Sequence, residues 1–142
     1  MLREPMYIGM KRDKAERSAM LECFRLLLER ADPSVHGDRE RGWVGGRTLL
    51  HDLCGERHVM PVDERVAIAT MLLDAGARVD IRDDLLMSTP LGWACRWGRV
   101  ELVQLLLSRG ADPVESDAEP WATPRAWATK GGHTRILGLL RR

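Results

Sequence analysis

Residues 88–112 read STPLGWACRWGRVELVQLLLSRGAD. Two short apolar patterns sit on either side of Gly98, and the same arrangement recurs along the chain. Shifted by 34 residues, Thr89-Pro90-Leu91-Gly92-Trp93-Ala94 with Gly98 falls on Thr123-Pro124-Arg125-Ala126-Trp127-Ala128 with Gly132. Val103 then lands on Leu137, and Leu106 on Leu140. Upstream, Leu72-Leu73-Asp74-Ala75-Gly76-Ala77 lies 34 residues before Leu106-Leu107-Ser108-Arg109-Gly110-Ala111. Thr48-Leu49-Leu50-His51 matches Thr89-Pro90-Leu91-Gly92 at a distance of 41, so seven extra residues fall within Gly55–Glu64. Leu26–Pro33 repeats only the second half of the unit.

Each unit reads as a helix pair. Thr48, Thr89 and Thr123 suit the position before a helix, and Pro90 and Pro124 suit the first helical residue. A first helix of about eight residues ends near Gly98 or Gly132. A second follows, with Val100, Val103, Leu106 and Leu107 at helical spacing in one unit and Ile136, Leu137 and Leu140 in the next. Gly76 and Gly110 supply the left-handed stop. A helix over about residues 14–30 is expected to turn Ala19, Cys23, Phe24, Leu26 and Leu27 toward its neighbour. Asp63 is expected to cap the helix after the insertion. Such a unit cannot bury its apolar face alone, whereas stacked units can.

The period, the Thr-Pro-Leu start and the Leu-Leu-x-x-Gly-Ala-Asp finish resemble ankyrin repeats. The resemblance covers about residues 14–142, and it implies an all-α ankyrin-repeat solenoid: about three repeats plus an N-terminal capping helix. The units are an N-terminal half repeat over 14–33, a repeat with the insertion over 43–80, a repeat over 84–113 and a C-terminal capping repeat over 118–142. Together they form a single domain over 1–142. Gly92 and Ala126 stand where the family carries histidine, which survives as His51, and Arg125 replaces a core leucine. The resemblance further implies a concave groove, lined by hairpin tips and first helices, that receives a partner protein.

Composition narrows the function. The 142 residues are 44% hydrophobic and 30% charged, with formal net charge +1, so no long-range field favours nucleic acid or a membrane. No apolar run reaches the length of a membrane span, and the first residues lack the apolar core of a signal peptide. Cys23, Cys54 and Cys95 are three widely spaced thiols, which fits a reducing cytoplasm. Asparagine is absent and lysine occurs only at positions 11, 14 and 130, which points to a GC-rich, bacterial genome.

Residues capable of chemistry were weighed against their packing roles. His51, Cys54 and His58 have metal-ligand spacing, but no fourth ligand accompanies them. Cys54 and Cys95 fall at equivalent core positions, where a thiol is inert. Asp80, Asp83 and Asp84 read as solvated turn residues. No cofactor, metal or catalytic residue is expected. Trp93 and Trp127 are equivalent core residues. Trp43, Trp97, Trp121 and the tip sequence Leu85-Leu86-Met87 are expected as apolar anchors for a partner, with Arg47, Arg96 and Lys130 at the rim. The function that follows is a non-catalytic protein-interaction module, monomeric when free, acting as a bacterial inhibitor or immunity protein against a toxin or enzyme. The alternatives are a secreted effector engaging a host protein, or a metal protein using His51, Cys54 and His58.

Overall fold

The computed structural model describes residues 13–30, 33, 46–55 and 60–141. Its elements are α1 (Lys14–Leu28), α2 (Leu49–Cys54), α3 (Val62–Asp74), α4 (Pro90–Arg96), α5 (Val100–Ser108), α6 (Pro124–Gly131) and α7 (Thr134–Leu140). They pair as α2/α3, α4/α5 and α6/α7, and α1 packs on α3 on the N-terminal side. First helices α2, α4 and α6 pack side by side in one layer, and α1, α3, α5 and α7 in another.

Local chemistry accounts for the helix boundaries. Thr89 Oγ1 accepts the Gly92 amide at 3.3 Å, and Thr123 Oγ1 accepts the Ala126 amide at 3.1 Å. Pro90 and Pro124 follow as first helical residues, where a missing N–H costs nothing. Gly76, Gly98, Gly110 and Gly132 all close helices with positive φ. Asp13 caps α1 by accepting the Glu16 amide at 2.8 Å, while the Glu16 carboxylate accepts the Asp13 amide at 3.2 Å. Helix α3 departs from the expected cap. Pro61 occupies that position, its ring favouring the observed φ of −56°. Asp63 lies inside the first turn, where it pairs with Arg17 at 3.0 Å. The break between α2 and α3 agrees with an insertion there. Residues 56–59 of that insertion, and therefore His58, lie outside the described residues.

The core runs between the layers. Leu50, Leu53, Leu72, Leu91, Val103, Leu106 and Ile136 are almost fully buried. Helix α1 contributes no buried residue. Its inner stripe is Arg17, Met20, Leu21, Phe24 and Leu28, spaced as one helix face demands. Only Phe24 of the expected inward set belongs to it. Ala19, Cys23, Leu26 and Leu27 project outward instead, because the stripe is set by the α3 contact and not by the most apolar run. Ion pairs tie successive units along the outside: Arg109 to Asp74 at 2.6 Å, and Arg82 to Asp117 at 3.0 Å. Arg125, equivalent to Leu91, is exposed on α6.

Candidate interaction surface

The tip before α4 is organised by one buried carboxylate. Asp83 Oδ2 accepts the amides of Leu85 at 3.0 Å and Leu86 at 2.8 Å. Its Oδ1 accepts the Ser88 amide at 3.1 Å and the Trp93 indole N–H at 2.9 Å. The Asp83 amide donates in turn to the Ser88 carbonyl at 3.2 Å. Asp83 is therefore a buried keystone and not the solvated turn residue expected of it; Asp80 and Asp84 do face solvent. Curling the chain around this carboxylate turns Leu85 and Met87 outward, 61% and 44% exposed, and tucks Leu86 against the core.

Met87 holds a φ of +50°, in the left-handed region. Gly46, its counterpart one tip earlier, has φ +77°. A Cβ there would come within 3.2 Å of the Arg82 carbonyl oxygen. Left-handed backbone costs a side-chain-bearing residue about 1–2 kcal/mol. Glycine's greater freedom when unfolded cancels part of that gain, so Met87→Gly should raise the unfolding free energy by about 0.5–1 kcal/mol. A urea titration checks this, and a lowered midpoint would mean that the methionine side chain packs more than its exposure implies.

Adjacent tips are joined by hydrogen bonds. The Thr48 amide donates to His51 Nδ1 at 3.0 Å, so the proton of the neutral imidazole sits on Nε2 and is donated to the Ser88 carbonyl at 3.0 Å. Burial pushes the His51 pKa down to about 4, against the opposing pull of the Ser88 and Ile81 carbonyls and of Asp83. The next unit has glycine where this histidine would be. There Ser88 takes over. Its hydroxyl accepts the Trp127 indole N–H at 2.8 Å, and its one proton is shared between the Leu86 carbonyl at 2.7 Å and the Ala122 carbonyl of the next tip at 3.2 Å. Ala122 is the residue 34 positions beyond Ser88. A Cβ on Gly92 would lie 2.9 Å from the Ser88 Cβ, so the missing histidine is also what makes room for the serine.

Aromatic and cationic groups alternate along the first-helix layer. Arg47 lies 5.6 Å from the Trp93 ring and forms an ion pair with Asp52 at 2.8 Å. Trp93 packs on Trp97 with centroids 5.1 Å apart. Arg96 stands 5.0 Å from the Trp97 ring and 4.6 Å from the Trp127 ring, both within cation–π range. Lys130 also reaches Trp127, at 5.7 Å, and Trp121 meets that ring edge-on at 6.0 Å.

The expected anchors thus divide. Leu85, Met87 and Trp121 are open, with Trp121 51% exposed, and Lys130 is exposed at the rim. Leu86 and Trp97 are half-buried against the core, and Arg47 and Arg96 half-buried beside the indoles. Trp43 lies outside the described residues. Trp93 and Trp127 are buried, as their equivalence implies. Sequence reading missed Asp83 and Ser88 as organisers; Ser88 offered one clue, its place directly after a tip lacking glycine.

The nucleophile candidates are packed away. Burial raises the Cys54 thiol to about 12 and raises Cys95 as well. Both ring nitrogens of His51 are engaged in hydrogen bonds. Two clefts, of about 370 and 420 Å³, lie between second helices. The first is lined by Leu28, Met71 and Ala75, with Arg25 and Asp74 already in ion pairs, and the second by Leu107, Ala111 and Leu139. Neither cleft gathers a reactive constellation. Among the described residues no helix is long and apolar enough to cross a membrane.

Comparison with known proteins agrees with this geometry. No curated protein matches the chain. A family model for ankyrin repeats in three copies matches residues 14–117. Helices α6 and α7 lie beyond that match, yet they pack on α4 and α5 as a further helix pair. Repeats of this kind serve in general as protein-binding surfaces and are typically not enzymes. With most of its length matched and its helix pairs stacked in two layers, the chain belongs to the ankyrin-repeat family.

Proposed function

We propose that the chain binds a partner protein through its tips and first-helix layer, with Leu85, Met87 and Trp121 as apolar anchors, and acts as an inhibitor by covering that partner's working surface. One observation carries the reading: Met87 spends conformational energy to hold an exposed side chain beside exposed Leu85. Trp121 occupies the equivalent place one tip on. The Ser88–Ala122 hydrogen bond joins the two tips directly beside these residues, so the anchors belong to one surface. Inhibition by occlusion asks for shape and apolar contact and for no reacting group, which suits a first-helix layer whose thiols, Cys54 and Cys95, are buried. The narrower reading is an immunity protein that neutralises a toxin; the neighbourhood of the gene tests that reading directly.

The binding test is a matched capture. Wild-type chain and a Leu85→Asp/Trp121→Ala variant are used side by side to retain proteins from the source organism, and any protein held only by wild type is purified. Calorimetry on that protein should then show Trp121→Ala weakening binding by about 2 kcal/mol, roughly thirtyfold. Circular dichroism should be unchanged, because Trp121 is half-exposed at a tip. Stoichiometric chain should also abolish the partner's own activity. Equal affinity for both chains would move the interface off these tips.

A further inference from the structure

The Arg96 guanidinium has an unusual setting. It stands within cation–π range of two indole rings, Trp97 and Trp127. Trp127 is itself fixed, by its N–H bond to Ser88 Oγ and by the edge of Trp121. The guanidinium is thus held in place before anything binds, so little rotamer freedom remains to be lost. Other arginines of the array spend their charge internally: Arg47 on Asp52, Arg82 on Asp117, Arg109 on Asp74. Arg96 and Lys130 form no ion pair among the described residues. Both approach the same indole, and neither α4 (PLGWACR) nor α6 (PRAWATKG) contains a carboxylate to separate them. Two cations are therefore brought to one indole, with no ion-pair partner among the described residues.

We propose that this surface receives an acidic segment of the partner protein, with one carboxylate paired in bidentate fashion to Arg96 and a second meeting Lys130, while apolar side chains of the same segment rest on Leu85, Met87 and Trp121. The inference rests on the docking surface proposed above and adds the partner's chemistry to it. Charge complementarity is the argument. A planar guanidinium presents a fork that matches a carboxylate, and the neighbouring rings exclude water from one side of the pair. A nucleic acid fits less well: Arg96 lies against both the Trp97 and the Trp127 ring, which leaves Trp121 as the one open indole among the described residues for a base to stack on, and the chain's net charge is only +1.

A random peptide library displayed on phage, selected on the immobilised full chain at low salt, tests the proposal. Peptides enriched on wild type should carry Asp or Glu among large apolar residues. A synthetic peptide of the enriched sequence, followed by fluorescence anisotropy, should bind about tenfold or more weakly to Arg96→Met, and Arg96→Lys should recover only part of the loss. Lys130→Met, at an exposed position, should weaken the same peptide severalfold with its circular dichroism unchanged, and keeps the test decisive if Arg96→Met fails to fold. Binding should also fall steeply with added salt. Enriched peptides without acidic residues, bound equally by the Arg96 and Lys130 variants but lost with Leu85→Asp, would overturn the acidic partner and leave the docking surface standing. Loss of neither kind, or no enrichment at all, would overturn both. Tighter Arg96-dependent binding of inorganic phosphate or of a single-stranded oligonucleotide would overturn the assignment to a protein carboxylate.

Discussion

Leu106→Ala should lower the unfolding free energy by about 2–5 kcal/mol, the range for deleting a buried leucine whose cavity cannot collapse. Leu106 is 1% exposed on α5, between α3 on one side and α7 on the other. Its counterparts Leu72 and Leu140 are buried too. A rigid helix on each flank limits relaxation, which places the expected loss toward the upper part of the range. Against a typical domain stability of about 5–15 kcal/mol, that is a large fraction. A urea midpoint that does not move would contradict the repeat register itself.

The second large effect is a pH response centred on one side chain. Unfolded, His51 binds its proton near the ordinary imidazole value of 6.5; folded, it does so only at about 4, because burial disfavours the imidazolium. Between those values the unfolded chain carries more protons, and acidification draws the equilibrium toward it. The contribution is whole above pH 6.5, shrinks as pH falls, and is gone below about 4. At 1.36 kcal/mol per unit, the full swing is about 3 kcal/mol. Other groups titrate nearby. Glu115 is shifted upward by burial, and Asp80 and Asp117 downward by Arg78 and Arg82. The difference between wild type and His51→Gln cancels them. Wild type should lose stability from pH 6.5 to 4.5 more steeply than the variant; parallel curves would mean that His51 is not the sensor.

Repeat length and helix pairing were legible because stacking forces one geometry on every unit: equivalent leucines must meet equivalent neighbours, so their spacing survives. Leu72, Leu106 and Leu140 carry that signal openly. The face of α1 was not, since among the described residues its main packing is on α3, and that contact picks a stripe which the most apolar run does not follow. Leu26 and Leu27, the most conspicuous hydrophobic pair there, point away from the core. At the tips, composition revealed Leu85 and Trp121 as candidate anchors but hid Asp83. A carboxylate satisfied by four donors looks, in sequence, like any turn aspartate. Trp97 was misleading for a related reason. Its distance from the repeat's core positions says nothing about a neighbouring indole and guanidinium that partly cover it.

The exchange of a histidine-made junction for one made by Ser88, with Gly92 at the histidine position, has an architectural corollary. In a uniform array any unit could be duplicated, deleted or exchanged, because every junction would present the same plug to the same socket. Here the junction between the second and third units is built from an imidazole reaching forward, and the next from a hydroxyl that already belongs to its own hairpin. Ser88 serves the unit before it through its carbonyl and the unit after it through its side chain, and it fits only because Gly92 leaves space. That unit is consequently keyed by chemistry to the one before it and the one after it, and across these two junctions the array reads as a sentence with fixed word order.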